Sequence, residues 1–155
     1  MKKVLNYYLK INDVTANKVA TDSGKSNTTL LRAVSGDYEN ISTRIYLMLA
    51  KSLNKLPERV FYEVNQLNGC LENLKNDSDY KTILDNDIKG TWANPATHTE
   101  LTNTEYNLMI LKESFSDWLE NIEQYHDEDW KFYEIYNKFL ENESDFEFLG
   151  DKSNE

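Results

Sequence analysis

Asn27, Thr28, Leu31 and Arg32 stand at i, i+1, i+4 and i+5, a spacing that gathers them on one side of a helix. The chemistry open to that set is contact with base edges. An Asn amide can pair with adenine, an Arg guanidinium can fork onto guanine, and Thr and Leu can touch a thymine methyl. Lys18, Ser26, Asn40, Thr43 and Arg44 fall at or near helix starts, where cations and hydroxyls beside the positive helix end suit phosphate oxygens. Other reactive patterns are missing from the sequence. His98 and His126 have no short-spaced His or Cys partner, so no zinc site is expected. Asp85 to Gly90 begins like a calcium loop, but Lys89 occupies a ligand position and Ala96 the twelfth, so no metal is expected there. With no phosphate-cradling Gly loop and no nucleophile–base pair, the reading is a non-enzyme with no catalytic residue and no cofactor.

Thr15 to Gly36 must position the base-edge set. Two helices crossing closely need a small residue at the contact, which Ala20 supplies, and Gly24 suits the turn between them. Val19 and Leu30 fill the space between the helices, and Ser26 caps the second. Leu30, Ala33 and Val34 then point inward, leaving Asn27, Thr28, Leu31, Arg32 and Ser35 outward. The flanks supply three more helices. Val4, Leu5, Tyr8 and Leu9 form one face of a first helix ending near Ile11. Ser42 opens a fourth carrying Ile45, Leu49 and Leu53, and Pro57 a fifth carrying Val60, Phe61 and Val64.

This tract resembles the phage-repressor/Cro-like (XRE) helix-turn-helix family in Val19-Ala20, Gly24, Ser26, Thr29-Leu30 and Gly36, over residues 3–64. Two positions depart from the pattern: Lys25 stands where the family is apolar, and Ala16 where a glutamine often meets a phosphate. Lys25 could cover the same surface with its aliphatic stem. The resemblance implies a sequence-specific reader of double-stranded DNA, a transcriptional (auto)repressor of a phage or mobile element that binds an inverted repeat as a homodimer.

Charge divides the chain. Residues 1–66 carry ten Lys/Arg against six Asp/Glu, a net of +4, while 67–155 carry seven against twenty-one, a net of −14. Few glycines and prolines point to an all-α protein: a five-helix domain over 1–66 and an acidic helical domain over 67–155. In the acidic half, Leu67, Leu71 and Leu74 continue a helical stripe, and a short helix is expected near 79–86. Residues 86–100 read as a loop, and Thr102-x-x-Glu105 as a capping box for a helix over about 103–124. That helix carries Leu108, Leu111, Phe115, Trp118, Leu119 and Ile122. A last helix starts near Asp127, and a tail from about Glu143 is expected to fray.

Trp92 and Trp130, aromatic side chains beside acid, are candidate anchors for a protein partner. The acidic half could equally dimerise the protein, and the sequence leaves both open. In layout alone the chain resembles the helix-turn-helix anti-CRISPR proteins, in which one half autoregulates and the other blocks an effector nuclease. An antitoxin-like inhibitor would share that layout. The single Cys70 fits a cytoplasmic protein, and no apolar run approaches the ~18 residues of a membrane span.

Overall fold

The computed structural model describes residues 3–76, 90–122, 132–141 and 145–150. The helix expected near 79–86, Asp85 to Lys89, His126 and Trp130 lie outside the described residues. In chain order the elements are α1 (Val4–Ile11), α2 (Ala16–Ser23), α3 (Asn27–Ser35), a 3-10 turn (Tyr38–Asn40), α4 (Thr43–Leu53) and α5 (Pro57–Asn76). They continue with β1 (Thr91–Ala93), β2 (Glu100–Thr102), α6 (Asn103–Ile122), α7 (Phe132–Glu141) and β3 (Glu147–Phe148). The chain divides into two compact units, Met1–Glu72 and Asn73–Glu155.

In the first unit local chemistry sets each helix end. The Thr15 hydroxyl accepts the Lys18 N–H at 3.1 Å and so caps α2. Gly24 closes it in the left-handed region, at φ +65°, and the Lys25 N–H donates to the Ala20 carbonyl at 3.0 Å. Asn54, at φ +54°, ends α4 in the same way. α2 packs against α3 and α4, and α1 against α3. Val4, Leu5, Tyr8, Val19, Ala20, Leu30, Ile45, Leu49, Val60 and Val64 are buried in this unit.

One inward position of α5 differs from the sequence reading. Phe61 is exposed, resting edge-on against Tyr46 at 5.2 Å, because Val60 and Val64 already occupy the inner face of α5. Glu63 is completely buried instead. Its carboxylate accepts from Tyr8 Oη at 3.0 Å, from Lys55 Nζ at 2.6 and 3.1 Å, and from Arg59 Nε at 3.4 Å. Burial, and then the Glu63 charge, push the Tyr8 hydroxyl far above its usual pKa. α5 continues through buried Leu67, Cys70 and Leu71, and burial pushes the Cys70 thiol up to about 12.

The second unit is not all helix. Its strands form an antiparallel sheet in the order β2-β1-β3, so the protein is mainly α with a small sheet. β1 lies in the segment read as a loop, and β3 in the tail expected to fray. Strands of two or three residues are too short to show an alternating pattern, and β3 reaches β1 from far along the chain. The capping box forms at α6: the Glu105 N–H donates to Thr102 Oγ1 at 3.2 Å, and the Glu105 carboxylate accepts the Thr102 N–H at 3.0 Å. Among the described residues of α6, Asn103, Asn107, Ile110, Leu111, Ser114, Phe115 and Trp118 are buried, and the helix packs against α7. Leu108 and Leu119 are only half-buried.

Candidate nucleic-acid interface

α3 has one buried side and one wet side. Leu30 is fully buried, whereas Thr28, Leu31, Arg32 and Ser35 are exposed, Leu31 by 52%. Ala33 and Val34 are half-buried. The helical period does this: once Leu30 is fixed against the core, positions one and two residues later swing out. Leaving half a leucine in water forgoes about 1 kcal/mol of burial, so Leu31 contributes to the outer surface at some expense to the fold.

Asn27 behaves differently from its three companions. It is half-buried, and its side-chain oxygen is shielded from water with no hydrogen-bond partner. The amide is therefore turned toward the protein and would have to rotate to meet a base. Ser26 caps α3 as expected, accepting the Thr28 N–H at 3.3 Å, which leaves its own hydroxyl proton for another acceptor.

The phosphate candidates also divide. Asn40, Thr43 and Arg44 are exposed. Ser42 adopts the N-cap backbone conformation at α4, but its side chain makes no capping bond. α4 thus differs from α2 and α3 in starting without a side-chain cap, and its first-turn N–H groups keep their affinity for an anion. Lys18 is exposed yet already paired, its Nζ 3.1 Å from the Asp22 carboxylate one turn along α2. Asp22 also accepts from Ser52 Oγ at 2.7 Å, which ties α2 to α4. Those two hydrogen bonds, Ser52 first and then Lys18, hold the Asp22 carboxyl below the usual carboxylate range. A phosphate at Lys18 would have to share the ammonium with Asp22. Lys25 is exposed.

In the second unit Trp92 is occupied internally. Its ring stacks on Tyr106 with centroids 3.7 Å apart and 7° between planes, and its Nε1 donates to Asn103 Oδ1 at 2.9 Å. It also lies 5.1 Å from the Phe148 ring. The large apolar side chains of this sheet that face water are Phe148 and Leu149, in the tail expected to fray.

Among the described residues no group of three or more His, Cys, Asp and Glu is placed to hold a metal. No described helix is long and apolar enough to cross a membrane. No family model, curated protein or solved structure matches the chain.

Proposed function

We propose that the first unit reads double-stranded DNA by laying α3 in the major groove, and that the protein is a transcriptional repressor binding an inverted repeat as a dimer. The observation that carries this reading is the outer side of α3, where Thr28, Leu31 and Arg32 stand exposed beside a turn closed by Gly24 at φ +65°. A hydroxyl, an isobutyl group and a guanidinium on one helix face match the donor, acceptor and methyl pattern of base edges. The exposed start of α4, with Thr43 and Arg44 and no side-chain cap, suits a backbone phosphate. The resemblance of Thr15–Gly36 to repressor-like helix-turn-helix tracts points the same way.

Binding assays on two variants test the reading. Arg32→Ala should cost about 1–3 kcal/mol on a preferred duplex and relax selectivity at one base position. Lys18→Ala should weaken all sequences alike and reduce the salt slope by at most about one unit, because Asp22 already shares its charge. Equal effects on preferred and random DNA for Arg32→Ala would remove α3 from the base edges.

A further inference from the structure

The second unit anchors a short edge strand while leaving its apolar side chains half in water. Phe148 and Leu149 are 50% and 44% exposed. They are nevertheless held in place: the Leu149 N–H donates to the Thr91 carbonyl at 2.8 Å, and the Thr91 N–H to the Gly150 carbonyl at 3.0 Å. Phe148 sits so close over Gly90 that a Cβ there would overlap its ring. Beside it, 5.1 Å away, lies the Trp92 ring, itself stacked on Tyr106.

The register sorts the two sheet faces. Leu101, Trp92 and Phe148 form one cross-strand row, and Glu100, Ala93 and Glu147 the next. Successive residues point to opposite faces, so the aromatic row lies on one face and the carboxylates on the other, with Leu149. Among the described residues β3 pairs with β1 alone. The bonds flanking the Trp92–Phe148 pair direct the Phe148 N–H and C=O away from β1, toward the open side. Residues 90–102 and 145–150 contain Glu100, Asp145 and Glu147 and no Lys or Arg.

We propose that the open edge of β3 takes an extended segment of a second protein in which cationic and apolar side chains alternate. A strand laid beside β3 would satisfy its outward backbone groups. One side of that strand would meet Phe148, and the other would meet Glu147. The charge selects the occupant. A second copy would bring its own carboxylates to the same edge, and nucleic acid or an anionic membrane would be repelled, whereas Lys or Arg is complementary. This inference does not depend on DNA reading by the first unit.

The test titrates the isotope-labelled full chain with a short peptide alternating Lys and Val, followed by NMR. The Trp92 indole N–H and the Phe148 and Leu149 amides should shift. A peptide of the same composition with Lys and Val in separate blocks, and one with Glu in place of Lys, should each bind at least about tenfold more weakly. Glu147→Lys, at an exposed position, should weaken binding by about tenfold, with the free variant keeping the Trp92 indole resonance as evidence of an intact sheet. No shift at β3, shifts centred on the first unit, equal binding of the block peptide, or indifference to Glu147→Lys would each overturn the proposal.

Discussion

Replacing Glu63 with Ala probes the polar centre of the first unit. Glu63 is completely buried, and its carboxylate joins Tyr8 on α1 to Lys55 at the α4–α5 turn and Arg59 on α5. Removing one partner of a buried ion pair costs about 3–5 kcal/mol, mostly because the remaining charge is stranded. Here the stranded charges have an escape, since the Lys55 and Arg59 side chains are 27% and 34% exposed and can return to water. The Tyr8 hydroxyl has no such route, and losing its acceptor costs about 1–3 kcal/mol. A net loss of about 3 kcal/mol follows, at the lower end of the buried-pair range. For a unit of this size that corresponds to a drop of roughly 12–24 °C in melting temperature. Hydrogen exchange on the full chain reads it directly: the slowest amides of α1 and α5 should lose about 3 kcal/mol of protection. Glu63→Gln, which keeps an acceptor for Tyr8, should lose less. A change under about 1 kcal/mol in Glu63→Ala would refute the claim that this carboxylate holds the helices together.

Gly24→Ala meets no atom within 4 Å, so its effect isolates the backbone. A loss of about 1–2 kcal/mol in urea unfolding is expected, from placing a Cβ in the left-handed region, and no loss would show that the turn relaxes. Asp22 supplies a pH dependence. Its folded pKa lies below its unfolded value, so its contribution is complete above the ordinary carboxylate range and is lost as pH falls through the folded pKa. Asp22→Asn should therefore flatten the acid limb of the stability curve and leave its slope near neutrality unchanged, as followed by circular dichroism.

The helices of the first unit were legible because each has a local signature. Thr15, Ser26 and Gly24 mark ends by their own chemistry, and the Val19/Leu30 spacing marks the inner faces. Glu63 was not legible, since its burial is decided by Lys55 and Tyr8, which lie outside α5, and Phe61 was not, since Val60 and Val64 already fill the inner face beside it. The rotation of Asn27 is hidden for a similar reason: spacing gives a helix face but not the torsion of an amide. The small sheet escaped because β1, β2 and β3 are too short for periodicity and their pairing is long-range. That same pairing sets Trp92, a candidate partner anchor in the sequence, beside Phe148, while its ring stacks on Tyr106.

The most direct measurement is a gel shift of the full chain with the DNA upstream of its own gene at ~50 mM salt, set against a scrambled duplex of equal length. The account predicts a complex on the upstream DNA that survives excess scrambled competitor and is lost in the Arg32→Ala variant. Failure to shift either duplex, or shifts that the scrambled competitor removes as readily as the upstream DNA does, would contradict it.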